Sequence, residues 1–550
     1  MKYLYVLLLM TFLVPFSFGQ VLGPGFWLQE RQRRDQLLGD SLVDQSFLLR
    51  PMVNSSQTKD RLQEEPDFGG HLLPAFVSLK ALNKRSYGWG DYGLIPTPGI
   101  QVGVMPGGRA FFKDIVVLDI QPELVYASNA AYRGYEGFGE TIDRGKFFLW
   151  NSSEFPERFG EGAYSYFGWG QSSLTLGTGA FEAGISTKNI WWGPGRWNSL
   201  IFSTNAPGFP HATLNTRRPA KTFLGNFEGQ VIMGRLQNGG YPALQNEELN
   251  ALYFREFPDD WRYLNGITLN YSPKWVKGLS VGFSRTFQVY RALMEDTFWD
   301  YFPIFEAFQK AGFFENGNTV DYDDNGRSQQ VSFFGRYYFQ KAKAEIYFEY
   351  GRRDHSYTWR EFTLNPEHAR AYLIGFNKVF PELVHGFDFQ LSSEITHQQE
   401  SINRIIRYSP LGGLSWHSHT RAGGFANMGQ PLGVGLGPGS NVQTLELALV
   451  KDFDKIGLLF ERLENHQDFY NKAFGQQSER KPWVDLSLGF LYDKKIENLI
   501  ISSKLQLIHA RNYQWQLDPA STPEFPKGEN LTSVMAQVSL VYFWNKTKIQ

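Results

Sequence analysis

The chain has 550 residues, with 54 Lys and Arg against 55 Asp and Glu, and it contains no cysteine. The absence of cysteine excludes a disulfide scaffold, a thiolate metal site, a catalytic thiol and a lipid-modified N-terminal cysteine. The net charge of -1 argues against a nucleic-acid partner, which would need a basic surplus. Aromatic residues make up 16% of the chain although its mean hydropathy is -0.35, so polar residues must be interleaved with them.

The N-terminus predicts a secretory signal peptide over residues 1–19. Lys2 gives it a basic start, an apolar run covers 3–16, and Ser17 and Gly19 supply the small residues of a cleavage site. A membrane anchor is the alternative, but the run is shorter than the roughly 20 residues of a spanning helix. No later apolar run is long enough either. An exported chain of this kind enters a membrane only as a barrel.

Residues 20–65 are predicted to form a periplasmic helical segment. Its helix covers 26–50, where leucines such as Leu38 and Leu49 share one face, and Pro51 ends it. The simplest interpretation is an amphipathic helix that packs on the body of the protein.

From about residue 98, apolar and polar residues alternate with a period of two. In 534–544, for example, Val538 and Tyr542 lie on one face of a strand and Gln537 on the other. A soluble sandwich also gives such alternation, so the connections between strands are needed to distinguish a sandwich from a membrane barrel.

Eleven strands are predicted from residue 265 onwards, and their connections alternate between short turns and long loops. The strands are 265–272, 279–288, 329–340, 344–350, 370–378, 387–396, 442–450, 456–463, 483–491, 499–510 and 533–544. This alternation is typical of outer-membrane barrels, whose short turns lie in the periplasm and whose long loops lie outside the cell. It also places the C-terminus on the periplasmic side.

Weaker runs upstream bring the predicted number of strands to seventeen. They cover 98–105, 114–126, 145–150, 172–178, 181–189 and 227–236. A closed bacterial barrel has an even number of strands, so one is missing or miscounted. The sequence thus predicts an all-β protein, a transmembrane antiparallel β-barrel over residues 66–550 with aromatic girdles at both interfaces.

Two aromatic segments carry the candidate sugar-binding residues. These residues are Trp191, Trp192, Arg196, Trp197, Trp416, His417, His419 and Arg421. Indole rings stack on the C–H faces of sugars, and arginine supplies fixed donors for hydroxyl and carboxylate groups. For the first four residues, the alternative is a turn that packs in a girdle or in the lumen. For the last four, it is ordinary packing of a long loop.

Other motifs predict no catalysis and no cofactor. His417 and His419 share one face of a strand, but two ligands do not make a metal site. The run 321–326 resembles a calcium loop, yet Ser332 occupies the position that requires a carboxylate. The glycines of 433–439 are not followed by a helix, which argues against a phosphate site. We therefore expect no metal, no cofactor and no enzyme.

Several runs together resemble a known family. They are SYGWGDYGLI at 86–95, IQPEL at 120–124, WWGPG at 191–195, SLIFS at 199–203 and NAPGFP at 205–210. These runs are similar to the Wzi family of capsule assembly proteins, most of all to the forms found in Bacteroidetes. The similarity extends from about residue 70 to the last strand.

The resemblance implies an 18-stranded outer-membrane barrel preceded by a periplasmic helical segment, here shorter than the three-helix bundle of the family. It implies a lectin that binds capsular or exopolysaccharide and helps to attach or assemble it at the cell surface. The expected partners are this polysaccharide, outer-membrane lipid and the polysaccharide export machinery, with no nucleic acid, and the expected state is a monomer. The alternative function is a diffusion porin for sugars or oligosaccharides, which the polar inward faces of the strands would allow. A hydrolase inside the barrel has no supporting motif.

Overall fold

The computed structural model describes most of the barrel and its loops. The described residues are 26–39, 45–50, 67–113, 115–305, 326–353, 363–364, 366–367, 369–401, 415–475 and 479–544. The predicted signal peptide and residues 321–325 of the calcium-like loop lie outside them. None of the described helices is long and apolar enough to cross a membrane.

Within the described part of the chain, eighteen antiparallel strands close into one barrel. The strands are β1 (Phe68–Leu82), β2 (Gly99–Phe112), β3 (Val116–Ile120 and Glu123–Ala127), β4 (Tyr164–Gly168 and Ser173–Thr178), β5 (Phe181–Ser186), β6 (His211–Thr216), β7 (Gly225–Gln237), β8 (Trp261–Pro273), β9 (Leu279–Tyr290), β10 (Ser328–Phe339), β11 (Ala344–Arg353), β12 (Arg370–Val384), β13 (Phe387–His397), β14 (Asn441–Lys451), β15 (Asp454–Glu464), β16 (Val484–Ile496), β17 (Leu499–Arg511) and β18 (Leu531–Tyr542). Each strand pairs with its neighbours in sequence, and β1 closes the barrel against β18. The predicted fold class is confirmed.

Short and long connections alternate around the barrel, as the sequence predicted. β14 and β15 are joined by residues 452–453 alone, whereas 398–440 separate β13 from β14. We call the two rims the short-turn end and the long-loop end. The last strand, β18, finishes at the short-turn end.

The strands carry their apolar side chains outward and their polar side chains inward. On β15, Ile456, Leu458 and Phe460 point outward with 40–42% of their surface exposed, while Lys455 and Glu461 point inward and are buried. This pattern is the inverse of that of a soluble protein. It places an apolar belt against lipid and a polar wall around the lumen.

The described helices lie inside the barrel or in its long loops. They include α1 (Phe26–Leu38), α2 (Glu140–Ser153), α3 (Glu247–Tyr253) and α4 (Gln467–Phe474). The ring of Trp27 on α1 packs edge-on against Phe453 and Phe543, at 5.2 and 5.1 Å between centroids. These contacts hold α1 at the short-turn end, whereas α2 and α4 pack together at the long-loop end.

The N-terminal helix is shorter than the predicted 26–50. It ends at Leu38 because Gly39 adopts a φ of 109°, and Leu49–Arg50 instead pairs as a short ribbon with Trp191–Trp192. The expected apolar face is also not the buried one. Arg33 and Arg34 are buried while Leu38 is exposed, because the helix lies against the polar inner wall.

Three strand predictions are corrected. Residues 145–150 belong to helix α2 and not to a strand, and the sequence analysis missed β1 and β6. In β1, Pro74 sits at a bulge between Leu73 and Phe76, where the missing N–H interrupts no ladder bond. In β6, the sequence HATLNT offers too little apolar character to reveal its outward face.

The hydrophobic core lies inside the barrel. It is formed largely by segments folded into the lumen, which we call the plug: residues 26–39, 45–50, 83–98, 187–210 and 415–440. Its buried side chains include Leu49, Tyr87, Ile190, Trp192, Leu200, Ile201, Phe202, Phe209, Trp416, Phe425, Leu432 and Val434. The lumen is therefore packed with protein.

Candidate functional site

Carboxylates on the inner wall bind the plug. Eight described carboxylates, which lie on seven of the strands, each accept a hydrogen bond from an N–H or O–H group of the plug. The pairs are Glu123 with Gly93, Glu228 with Ser46, Glu345 with Arg33, Glu349 with Leu200, Glu394 with Arg196 and Asn198, Glu446 with Arg196, Glu461 with Tyr87, and Asp485 with Arg85. The polar inward face of the strands thus holds the plug in place.

Helix α1 is bound to the wall by a buried network of charges. Arg33 donates to Glu345 at 2.7 Å, and Arg336 of β10 donates to the same carboxylate at 2.6 Å. Arg336 also donates to Gln36 of α1 at 2.7 Å. One wall carboxylate therefore pairs with a cation of the helix and with a cation of the wall.

The Gly-Pro-Gly turn at 193–195 is held by Arg50. The guanidinium of Arg50 donates to the carbonyl oxygens of Gly193 and Gly195, at 3.0 and 2.7 Å. It also lies 4.3 Å from the centroid of the Trp191 ring. The first predicted segment is thus fixed to the ribbon that follows α1.

Arg196 joins three elements of the molecule. Its guanidinium lies 2.8 Å from Glu30 of α1 and 2.9 Å from Glu446 of β14, and its backbone N–H donates to Glu394 of β13 at 2.6 Å. Burial alone raises the pKa of Glu30, but the positive charges of Arg196 and Lys455 outweigh it and lower this pKa to about 2. Arg196 and Glu30 form a permanently charged pair at neutral pH.

Trp192 packs in the lumen, in agreement with the alternative interpretation of this turn. Its side chain is fully buried, with its ring edge-on to Phe202 at 4.7 Å. Its Nε1–H donates to Gln230 of β7 at 2.9 Å. Both faces of this indole are covered by protein.

The other residues of the first segment line an inner cavity. Trp191, Arg196 and the half-buried Trp197 border a space of about 90 Å³, together with Glu461 and Lys504 of the wall. A space of this size holds on the order of six water molecules. The structure therefore brings three predicted residues together around one polar cavity.

The second segment also folds inward. Trp416 is 1% exposed and covers Gly351, and its carbonyl oxygen accepts from Gln330 at 3.1 Å and Arg353 at 3.3 Å. His417 is buried beside it, where burial and the charge of Arg353 lower its pKa to about 3. His417 is thus neutral.

His419 stabilises the turn that follows it. Its Nδ1 accepts hydrogen bonds from the backbone N–H groups of Arg421 and Ala422, at 3.2 and 3.0 Å. Among the described residues, no group of three or more His, Cys, Asp or Glu side chains is placed to hold a metal ion. Arg421 is exposed at the long-loop end, away from the first segment's cavity.

A second cavity was not predicted from the sequence. We call it the outer cavity. It has a volume of about 70 Å³ and shares Tyr87, Gly88 and Trp89 with the inner cavity, while Lys146 and Trp483 lie on its other sides. The sequence analysis used the run 86–95 only as a family marker, although its paired aromatics were the available signal.

Comparisons with known proteins identify related chains. A family model described as capsule assembly protein Wzi matches residues 75–504. No curated protein sequence matches this chain.

Among solved structures, the chain is similar to Wzi of Escherichia coli, whose structure is described as a carbohydrate-binding β-barrel and an outer-membrane protein involved in group 1 capsule assembly. The identity is 12% and the TM-score 0.55, over 95% of this chain and 99% of the other. Acinetobacter baumannii OccAB2 gives 10% identity and a TM-score of 0.39, over 87% of this chain and 99% of the other. Pseudomonas aeruginosa OccD3 gives 10% and 0.37, over 86% and 91%.

Proposed function

Because the chain belongs to the Wzi family of capsule assembly proteins, we propose that it is an outer-membrane lectin that binds capsular or exopolysaccharide and helps to attach or assemble it at the cell surface. The observation that carries this proposal is the plug, which is bound to the wall by buried carboxylates such as Glu394 and Glu446. A lumen filled in this way suits a surface receptor and not a route for free diffusion.

We also infer the orientation and processing of the protein. The signal peptide at 1–19 directs export and is cleaved, the short-turn end faces the periplasm, and the long loops face outward. The run 86–95 supports a place among the Bacteroidetes forms of the family. The partners in this proposal are the polymer, outer-membrane lipid and the export machinery, and the protein acts as a monomer without enzymatic activity.

The predicted sugar-binding residues differ in how far protein covers them. Trp192 and Trp416 are covered on all sides, and we assign them to the stability of the plug. Trp197 borders the inner cavity and Arg421 is exposed at the long-loop end. These two are the ones that we retain as candidate polymer contacts.

The porin alternative finds less support in the lumen. It was motivated by the polar inward faces of the strands, and these faces are taken up by hydrogen bonds to the plug, such as that from Leu200 N–H to Glu349 at 3.2 Å. We therefore propose no second function.

The proposal is tested in the organism that makes the protein. Deletion of the gene is expected to release polymer from the cell surface into the medium, and the full chain supplied in trans is expected to restore retention. Purified protein in detergent is expected to bind polymer extracted from the same cells. Unchanged retention together with no binding would refute the proposal.

A further inference from the structure

The outer cavity is lined by aromatic rings and lies where the plug meets the long loops. Trp89 and Tyr132 are half-buried at its edge, and Trp483 packs edge-on against Tyr513 with 5.0 Å between centroids. Aromatic rings of this kind stack on the C–H faces of pyranose sugars. A space of about 70 Å³ admits a carboxylate group, and the half-buried rings at its edge are placed to stack on the sugar ring that bears it.

Lys146 supplies a buried cation to this cavity. It lies on the inward face of α2, its side chain is 1% exposed, and its ammonium is 3.3 Å from the centroid of the Trp150 ring. Tyr135 and Trp515 lie 5.0 and 5.3 Å from the same ammonium. No described residue accepts a hydrogen bond from it. A buried ammonium without an acceptor is costly, so an acceptor placed beside it would be stabilising.

The neighbouring carboxylates do not supply that acceptor. Asp485 is taken up by Arg85, at 2.5 Å, and by Asn465 and the indole N–H of Trp483, both at 2.9 Å. Glu157 accepts from the backbone N–H groups of Tyr135 and Gln245, at 3.1 and 3.3 Å.

Burial also shifts the protonation equilibria of Lys146 and Glu157. Burial lowers the pKa of Lys146 to about 7 although the charge of Glu157 opposes this, and burial raises the pKa of Glu157. Both groups are therefore shifted towards their neutral forms. An anion placed against Lys146 would favour its charged form.

We propose that the outer cavity accepts the carboxylate of a carboxylate-bearing pyranose unit on the ammonium of Lys146, with the sugar ring against the aromatic side chains at the edge of the cavity. This inference rests on the proposed function and deepens it. It states which chemical feature of the polymer the protein recognises. A uronic acid is the class of sugar that carries this feature.

The experiment compares methyl β-D-glucuronoside with methyl β-D-glucoside, which differ at the carboxylate. Each is titrated into the full chain in detergent, and tryptophan fluorescence reports binding because Trp89, Trp150 and Trp483 line the cavity. The glucuronoside is expected to bind at least about tenfold more tightly, since a hydrogen bond to a charged group contributes about 1.5–3 kcal/mol. Equal affinities, or no binding of either glycoside, would overturn the proposal.

Variants of α2 assign the preference to Lys146. Lys146→Met keeps an unbranched side chain within the aromatic rings and is expected to abolish the preference, whereas Lys146→Arg is expected to retain it. Arg144→Met is the matched control, because Arg144 is 66% exposed on the same helix and is expected to change nothing. Heat-dependent mobility on gels checks that each variant forms the barrel. A folded Lys146→Met protein that still prefers the glucuronoside would contradict the assignment.

The outcomes also separate this inference from the lectin proposal. If the protein binds its own polymer but binds the two glycosides with equal affinity, the lectin function stands and the proposed role of Lys146 fails. If it binds no polymer, the lectin function itself fails.

Discussion

At the scale of single residues, the buried ion pairs of the plug are the most sensitive part of the molecule. Arg196→Met would leave the carboxylates of Glu30 and Glu446 buried without their main cation. Breaking a buried pair in this way typically costs about 3–5 kcal/mol. We expect a loss of this size in the free energy of unfolding, measured by denaturant titration of the barrel in detergent or lipid.

The control for this substitution is an exposed ion pair. Arg144 and Glu140 are paired at 2.6 Å on α2, with both side chains more than half exposed. Exposed pairs contribute at most about 1 kcal/mol, so Arg144→Met is expected to remain close to the wild type. A loss for Arg196→Met no larger than that for Arg144→Met would contradict the structural role of Arg196.

The same ion pair predicts an acid-sensitive element. The pKa of Glu30 is lowered to about 2 in the fold, because nearby cations outweigh the effect of burial, and it is about 4.3 in an unfolded chain. A lowered pKa stabilises the fold fully above the unfolded value, and this stabilisation is lost as the pH falls from about 4.5 to about 2. Acid unfolding of wild type and Glu30→Gln tests this. We expect the variant to be less stable at neutral pH and less sensitive to acid in that interval.

The sequence revealed the site only in part, for a physical reason. Tryptophan and arginine in one run, as at 191–197, fit sugar binding and lumen packing equally well, because both use indole faces and fixed donors. The outer cavity was harder to foresee. Trp89, Lys146 and Trp483 are far apart along the chain, and only closure of the barrel brings them to one space.

At the scale of elements, the alternation of apolar and polar residues predicted the strands wherever one face of the strand meets lipid and the other faces the lumen. It failed at 145–150, where an apolar run of a few residues does not distinguish a strand from the buried face of α2. The helical spacing of leucines predicted α1 but not its buried face, which is the charged one because the wall around it is polar. The seventeen predicted strands thus contained one error and two omissions against the eighteen that the structure shows.

The lipid-facing belt yields a prediction for β15. Leu458 points outward near the middle of this strand, and 41% of its surface is exposed to the membrane region. Lysine in place of a lipid-facing residue at the bilayer midplane costs about 2–4 kcal/mol. Leu458→Lys is expected to lower the free energy of unfolding in lipid vesicles by this amount.

The matched control lies at the rim. Ile496 ends β16 at the short-turn end and is 53% exposed, so a lysine placed there reaches the interface. Ile496→Lys is expected to cost no more than about 1 kcal/mol. Equal effects of the two substitutions would mean that the outward face of β15 does not cross the apolar part of a bilayer.

At the scale of the whole molecule, two features of the sequence have a single structural explanation. The polar inward faces and the inward-folding aromatic segments are complementary, since wall carboxylates such as Glu394 accept the N–H groups of the plug at Arg196 and Asn198. Unpaired backbone donors in a buried loop would be costly, so the wall and the plug stabilise each other. The barrel and its contents therefore form one cooperative structure and not a pore with a loose insert.

Electrical conductance tests this view of the complete protein. In planar bilayers, the full chain is expected to show no steady open pore, because the plug is bound to the wall around the lumen. Deletion of residues 26–39 removes α1, and with it one of the partners of Glu345 and one of the partners of Arg196. We expect the deletion to produce brief, fluctuating openings, since the segment at 187–210 remains bound to Glu349 and Glu394. A steady, large conductance from the full chain would instead favour the porin alternative, because it would require a plug that leaves the lumen open.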